Sequence, residues 1–464
     1  MQIIADLQLH SKYARAVSQY MVLPEIYKWS KRKGIGLIAT GDWTHPLWMN
    51  EIKQNLEEEG TGLLKIKGER LKVKDNEYDP RFLLSGEVSC IYSQGGKGRR
   101  VHLLIFAPSI AAAEKINKSL TKRGCNLLSD GRPIIGISSI EFTDICLAID
   151  PSCLIIPAHA YTPWFGMYGS ESGFDSIEEC FGKFSKDIYA IETGLSSDPA
   201  MNWRVKELDN RSIVSFSDAH SGPKLGREAT VFDLNELSYA AVREAIKRDQ
   251  GSAFRDQEKK MKADPRSLTT NTVAYTIEFY PEEGKYHFSG HRNCNVKQDP
   301  SQTKDLGTLC PVCGKKMTIG VMHRVAQLAA RSEESLKLTQ KEVEKTQVKG
   351  TYSETFPERP AYIKMVPLQE IIAESFDIAA TSQKVQYEYN RITDNFKSEF
   401  DVLLTVPISD IVKIAGERIG EGIDKVRRGD IVIDPGYDGV FGVVKIWKEE
   451  EMKKEQGKEQ MSFF

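Results

Sequence analysis

At 464 residues the chain has room for two or three domains, and 40% hydrophobic with 28% charged residues is the balance of a globular protein rather than a disordered or fibrous one. A formal net charge of -2 excludes capture of a polyanion by the whole-molecule field, so any such partner has to be held by local basic patches. No run approaches eighteen apolar residues and the N-terminus lacks a basic-then-apolar layout, so no membrane contact is expected and the protein is read as cytoplasmic.

From residue 1 to about 255 the pattern is strand, then helix, repeated. Apolar runs predict strands at 3–7, 37–39, 82–84, 101–106, 154–156, 188–191 and 213–216. Amphipathic stretches at 24–33, 111–123 and 138–149 predict helices, the first two stopped by Gly34 and Gly124. About seven strands in this alternation, with no Gly-rich dinucleotide fingerprint after the first, predict an α/β parallel barrel over 1–255. Residues 256–270 are charged and polar and read as a linker. A compact module is expected over 271–325, followed by a mixed, mainly helical region at 326–447. Within that region, 326–347 has helical composition, 348–360 reads as loop, and Asp434-Pro435-Gly436-Tyr437-Asp438-Gly439 predicts a hairpin. The tail at 448–464 begins as a polar, mobile tether.

Four of the apolar runs end in metal-type ligands: Asp6 and His10, Glu87, His159, and the pair Asp218 and His220. One such pair alone is better read as a cap and a core histidine. Recurrence is the signal. His10, His102, His159 and His220 are half of the eight histidines, each in or just after a predicted strand, and Asp42, Glu87, Glu192 and Asp218 stand at equivalent tips. Strand tips that converge ligands on one point are how a barrel builds an active site. Mixed imidazole and carboxylate donors suit zinc, manganese or iron, and a shared carboxylate can bridge two ions about 3.5–4 Å apart for phosphoester hydrolysis.

Between Glu87 and His102, the cations Lys97, Arg99 and Arg100 follow Gly95-Gly96, which suits either a solvated hairpin or a clamp on a phosphate backbone. Trp164, in Pro163-Trp164-Phe165-Gly166-Met167-Tyr168, offers a base-stacking surface or a rim-packing one. The eight cysteines do not form a disulfide framework. His291-x₂-Cys294, followed after fifteen residues by Cys310-x₂-Cys313-Gly314, has the spacing of a closed structural zinc site, with His287 as a competing fourth ligand. Asp424-Lys425-Val426-Arg427-Arg428 is a further basic stretch. The final residues, Gln460, Met461, Ser462, Phe463 and Phe464, place two aromatics at a free end, where they either fold back or dock in a partner.

The runs Asp6-Leu7-Gln8-Leu9-His10-Ser11, Thr40-Gly41-Asp42, Gly86-Glu87, His102, Pro157-Ala158-His159 and Ser217-Asp218-Ala219-His220-Ser221 resemble, in order and spacing, the motifs of the PHP (polymerase and histidinol phosphatase) superfamily. That resemblance implies a distorted (β/α)7 barrel with two or three divalent metals (Zn, Mn, Mg or Fe). It assigns His10, Glu87 and Asp218 to one ion, Glu87, His102 and His159 to a second, and Asp42 and His220 to a third, with Asp218, His220, Glu87 and His159 carrying catalysis. Two departures stand out. Gln8 occupies the position of the family's first histidine, and a later family histidine has no counterpart at 12–18. His45 is the one candidate replacement and reads as a surface residue.

A PHP barrel followed by Cys310-Pro311-Val312-Cys313-Gly314 and Gly320-Val321-Met322-His323-Arg324-Val325 is similar to the endonuclease Q family, a likeness that includes residues 191–199 and the 434–439 turn. It implies a DNA repair endonuclease that cuts 5′ to hypoxanthine, uracil, xanthine or abasic sites, with one structural Zn. The competing readings are a PHP phosphomonoesterase acting on a small phosphorylated metabolite, and a non-catalytic DNA-binding adaptor. The C-terminal residues Gln460, Met461, Phe463 and Phe464 resemble the peptide by which repair and replication proteins bind the sliding clamp.

Overall fold

In the first strand, β1 (Gln2–Asp6), Ile3 and Ala5 point to one side, and with Leu7 they join Leu37, Leu83, Leu104, Phe106, Leu154, Ile156, Ala190 and Val214 in a continuous apolar cluster. The structure is a computed structural model, and the residues it describes are 1–68, 79–247 and 271–448. The expected linker at 256–270 and the terminal residues Gln460, Met461, Phe463 and Phe464 lie outside them.

Along the chain the strands are β2 (Leu37–Ala39), β3 (Leu56–Glu58), β4 (Leu64–Ile66), β5 (Arg81–Gln94), β6 (Lys97–Ala107), β7 (Ile134–Ile135), β8 (Leu154–Pro157), β9 (Ala190–Glu192), β10 (Ser212–Val214), β11 (Ala229–Asp233) and β12 (Thr272–Glu278). β1 pairs in parallel with β2, and β2 with β5. β6 runs antiparallel to both β5 and β8, while β9 and β10 are parallel. Ala160 N–H donates to the Glu192 carbonyl to join β8 to β9, and a parallel bridge from Leu9 to Ala219 returns the ring to β1. The seven strands β1, β2, β5, β6, β8, β9 and β10 therefore close a distorted (β/α)7 barrel around the apolar cluster.

The antiparallel β6 departs from the all-parallel barrel expected from the sequence. Its cause is local. Gln94 pairs with Lys97 across Gly95 and Gly96, whose φ values of 60° and 73° make a two-residue turn that only an antiparallel pair can use.

The helices lie outside the barrel, over a second and larger apolar cluster. α1 (Leu23–Lys33) carries Pro24 in its first turn and stops at Gly34, which takes a left-handed φ of 87°. α2 (Pro46–Asn55) begins after His45, and α3 (Ile110–Lys122) and α4 (Ser139–Ile149) are capped by the Ser109 and Ser138 hydroxyls.

β11 pairs with β1 on the side away from β2, and β12 pairs with β11, so the main sheet continues beyond the barrel. A hairpin of β13 (Ser289–His291) and β14 (Val296–Gln298) follows. β15 (Leu338–Glu342), β16 (Lys349–Ser353) and β17 (Ala361–Lys364) then extend the same sheet through β12. Here the sequence reading of helix at 326–347 and loop at 348–360 is corrected. The helix Val321–Leu328 ends early, and the Lys- and Glu-rich stretch after it is drawn into a strand by its pairing partner despite its helical composition.

Five helices, Leu368–Ser375, Gln383–Asn395, Glu399–Leu404, Ile408–Ala415 and Glu417–Arg428, follow. They are tied to α1 by an ion pair between Lys33 and Glu399 at 2.7 Å, with both side chains buried and Tyr389 donating its hydroxyl to the same carboxylate. A pair this deep fixes the docking register, because losing either partner leaves a buried charge uncompensated. The terminal hairpin of β18 (Val432–Asp434) and β19 (Val443–Lys445) folds back on the β13–β14 module, where Phe288 N–H donates to the Gly436 carbonyl and Lys297 Nζ meets Asp434 at 2.5 Å.

Candidate metal centres

Each ligand-type residue is delivered by a strand end, and the loop geometry there is unusual. Asp42, His159 and Asp218 all have positive φ, at 39°, 31° and 46°. Non-glycine residues adopt this region at a cost, and they persist in it where the surroundings over-determine them. Asp6 supplies part of that constraint. Its buried carboxylate accepts the Ser217 and Gly226 N–H groups, both at 2.9 Å, and so ties the Asp218–His220 loop to β1. Burial pushes this carboxyl up to about 6.

Glu87 is the shared element. In the β5–β6 register Ser89 faces His102, so Glu87 and His102 are diagonal neighbours on one face of the sheet. Glu87 Oε1 lies 2.7 Å from His102 Nδ1 and 3.5 Å from His159 Nε2, and those two nitrogens are 3.1 Å apart. Glu87 Oε2 lies 3.2 Å from His10 Nε2 and accepts from Gln8 Nε2 at 2.9 Å. His10 Nε2 is also 3.1 Å from Asp218 Oδ1. Two groups of potential ligands result, Glu87 with His102 and His159, and His10 with Asp218 and His220, in each of which the donor atoms lie within 4.8 Å of one another.

The electrostatics suit cations. Glu87 is 1% exposed, and burial alone would raise its carboxyl, yet Arg132, His102 and His10 hold it well below the ordinary range. Burial pushes His102 down to about 4 against the pull of Glu87. Burial would also lower His10, but Asp42, Asp218 and Glu87 together keep it well above its usual value. A point that stabilises positive charge so strongly, among imidazole and carboxylate donors, fits divalent metal. The buried Gln8 Oε1 has no hydrogen-bond partner among the described residues, which agrees with that fit.

The surrounding groups orient the ligands. Asp42 Oδ1 sits 2.9 Å from His10 Nδ1 while its other oxygen accepts from Ser11 N–H and Oγ, at 2.5 and 2.7 Å. This carboxylate–imidazole arrangement leaves His10 Nε2 for a metal. Of the third group expected from the sequence, His220 is gathered with His10 and Asp218, and Asp42 stands beside His10 Nδ1. His220 Nδ1 faces the Asp218 carbonyl at 2.8 Å and His159 Nδ1 faces Thr162 Oγ1 at 2.8 Å, which turns the Nε2 of each outward as an acceptor.

Sequence reasoning named Glu192 only as a tip carboxylate, and it missed Arg227 and Arg132. Glu192 is fully buried; one oxygen accepts the His159 N–H at 2.5 Å, the other has no partner, and burial raises the carboxyl well above its normal value. Arg227 Nε donates to the Ser217 carbonyl at 2.8 Å, behind Asp218. Arg132 reaches the ligands from a loop that has no motif of its own. His45 is corrected from surface to interior, where its ring stacks on Tyr13 at 4.5 Å. Arg99, expected to meet a phosphate backbone, is buried under Phe174 and bound to the Gly173 carbonyl and Glu179. Lys97 and Arg100 are exposed, and Trp164 is partly exposed with its ring edge-on to Tyr286 at 5.4 Å.

In the second module His291, Cys294, Cys310 and Cys313 converge within the same limit, with His291 Nδ1 3.4 Å from Cys313 Sγ. Gly314 takes a φ of 72° and donates its N–H to the Cys310 carbonyl, closing the knuckle. His287 is buried and outside the group. Four protein donors of this kind fit a structural zinc. The module packs on the loop after His159, where Arg324 donates to the Tyr168 and Phe174 carbonyls at 2.8 and 2.9 Å.

A distorted barrel with these ligand groups at its strand ends defines a metal-dependent hydrolase. The crystal structure of the lesion-specific endonuclease PfuEndoQ from Pyrococcus furiosus is 27% identical to this chain, covering 98% of it and 99% of that protein with a TM-score of 0.76. An endonuclease Q complex with a 27-mer duplex carrying an abasic lesion at the active site gives 28% identity, 98% coverage of both chains and the same TM-score. The chain is therefore similar to endonuclease Q over nearly its whole length. Residues 367–430 match the family model described as the MJ0043 C-terminal domain. The uncharacterized Bacillus subtilis protein YqxK is 27% identical over 458 residues, 96% of this chain and 99% of the relative. The uncharacterized Methanocaldococcus jannaschii protein MJ0043 is 28% identical over 288 residues, 62% of this chain; the match spans only 31% of that longer relative. Among the described residues no helix is long and apolar enough to cross a membrane.

Replacing Cys310 and Cys313 by serine is expected to release one zinc per chain in elemental analysis, to expose residues 285–325 to limited proteolysis, and to leave the metal bound by the barrel in place.

Proposed function

We propose that this chain is a DNA repair endonuclease that hydrolyses the phosphodiester 5′ to deaminated bases (hypoxanthine, uracil or xanthine) and abasic sites. The observation that carries the reading is the sharing of buried Glu87 between two ligand groups at a mouth flanked by the zinc-binding module, together with likeness to endonuclease Q over the whole chain, flanking parts included. A phosphatase for a small metabolite has no use for those parts.

His10, Asp218 and His220 would hold one ion and Glu87, His102 and His159 another, with Zn, Mn, Mg or Fe as candidates. Such ions supply Lewis-acid polarisation of the phosphate and activation of the attacking water. The chain's own residues position them: Asp42 orients His10, Thr162 and Glu192 hold His159, and Asp6 fixes the Asp218 loop. Exposed Lys97 and Arg100 on the β5–β6 hairpin contact the DNA backbone, and Trp164 stacks on or wedges beside the damaged nucleotide. His291, Cys294, Cys310 and Cys313 hold a structural zinc that braces the module against the rim.

The test uses duplex oligonucleotides, end-labelled on either strand end, with one hypoxanthine, uracil or abasic site, incubated with Mn²⁺, Mg²⁺ or Zn²⁺. One nick 5′ to the lesion is expected, with an undamaged duplex left intact. Asp218→Asn is expected to lower nicking by at least about 100-fold while DNA binding persists, because an amide cannot supply the ligand charge. Phosphate release from small monoesters without nicking would replace this reading with the phosphatase one.

The sequence of the last residues supports a second contact. Gln460, Met461, Phe463 and Phe464 bind the sliding clamp, the glutamine amide in one small pocket and the apolar pair in another, and a polar tether raises the local concentration of the nuclease on DNA. Deleting residues 460–464 is expected to abolish clamp capture in a pull-down and to leave nicking of free oligonucleotides unchanged. Undiminished capture by the truncated chain would refute this contact.

A further inference from the structure

Arg132 stands at the mouth of the ligand groups in a way that neither motif nor spacing announces. Its backbone is clamped on both sides. On one side Gly131 N–H donates to the Tyr13 carbonyl, Thr44 Oγ1 donates to the Gly131 carbonyl, and Arg132 N–H donates to Asp130 Oδ1 at 3.1 Å. On the other, the Pro133 carbonyl accepts from Ser89 N–H, and Ile134 pairs with Ser89 two residues beyond Glu87. Gly131 passes so close to Asp42 that a Cβ there would collide with its carboxylate. The loop is therefore built to bring one side chain over the ligands.

The contacts of that side chain lower the Glu87 carboxyl from a distance and leave most of its own donors unused. Arg132 Nη1 is 3.4 Å from Glu87 Oε1 and 3.4 Å from His10 Nε2, and the side chain is 29% exposed. A guanidinium serving as counter-charge to a buried carboxylate takes a forked geometry with two bonds near 2.7–2.9 Å, roughly the charge-assisted optimum. Here one nitrogen makes two long approaches, and Nε and Nη2 form no hydrogen bond among the described residues. With five donors in a fixed fork, arginine offers the remaining ones to a planar anionic group.

We propose that Arg132 is a catalytic residue whose guanidinium binds the non-bridging oxygens of the scissile phosphate and stabilises the charge that gathers on them during hydrolysis. The proposal rests on the endonuclease reading above. In the reaction the water oxygen bonds to phosphorus as one P–O ester bond to a sugar oxygen breaks. One water proton ends on that sugar oxygen and the other passes to solvent. Arg132 stays protonated throughout and makes no covalent bond. Its placement also answers an electrostatic problem, because Glu87, Asp218, Asp130 and Asp42 all act on this one cation and would otherwise repel a phosphodiester.

The experiment compares the metal-loaded parent with Arg132→Gln, Arg132→Lys and Arg132→Ala by single-turnover nicking of abasic duplex, inorganic phosphate affinity by calorimetry, metal content and melting temperature. Arg132→Gln is expected to slow nicking about 100-fold and to weaken phosphate binding about tenfold, with metal content and melting unchanged. Arg132→Lys should recover little of either, since an ammonium lacks the fork, and free guanidinium should restore part of the rate to Arg132→Ala. Parental nicking and phosphate affinity in Arg132→Gln would overturn the proposal. So would loss of metal in step with loss of rate and no rescue by guanidinium, which would make Arg132 a structural counter-charge. If the parent itself does not nick lesion DNA, the endonuclease reading falls, and the phosphate-affinity comparison still decides the role of Arg132.

Discussion

A carboxylate buried to the extent of Glu87 has to be paired or it neutralises, and this one stays ionised because three imidazoles and a guanidinium surround it. The rest of the structure depends on that arrangement. Each oxygen faces a different ligand group, so the same side chain fixes the separation of the two groups. To bring Glu87 and His102 onto one face, the barrel accepts an antiparallel strand, made by a two-glycine turn, where continued βα winding would keep all strands parallel. His159 and the Asp218–His220 loop then reach the same point only by adopting left-handed backbone conformations.

That strain is held by buried polar contacts rather than by apolar packing. Asp6 ties the Asp218 loop to β1, and Glu192 holds the His159 amide. Both carboxyls are raised by burial, Asp6 to about 6, which marks them as groups kept for position at some cost in solvation. The cysteine-bearing module, itself backed by the terminal hairpin, braces the loop after His159 from outside, so the flanking parts of the chain bear on the geometry of the mouth as well as on its shape.

Much of this was legible in the sequence because ligands at strand tips repeat, and repetition can be read without a structure. His10, Glu87, His102, His159, Asp218 and His220 were all found by that signal and are brought together. The cysteine spacing was equally readable, since knuckles are local. What stayed hidden depends on distance across the fold. Asp42 is a tip carboxylate like the others, and only its hydrogen bonds to His10 and Ser11 give it the orienting role. Arg132 sits in a loop with no periodicity, and its importance comes from contacts forty-five positions away at Glu87 and farther still at His10. The strand Leu338–Glu342 has a helix former's composition, and tertiary pairing overrode it. The antiparallel β6 was the one hidden feature with a readable cue, the Gly95-Gly96 dipeptide.

The central claim is that one buried carboxylate organises two metal centres. Crystals soaked in Mn²⁺ and measured at its absorption edge test it most directly. The account predicts two anomalous peaks about 3.5–4 Å apart on either side of Glu87, one beside His102 and His159 and one beside His10, Asp218 and His220. A single peak, or two peaks of which neither or only one contacts Glu87, would contradict it.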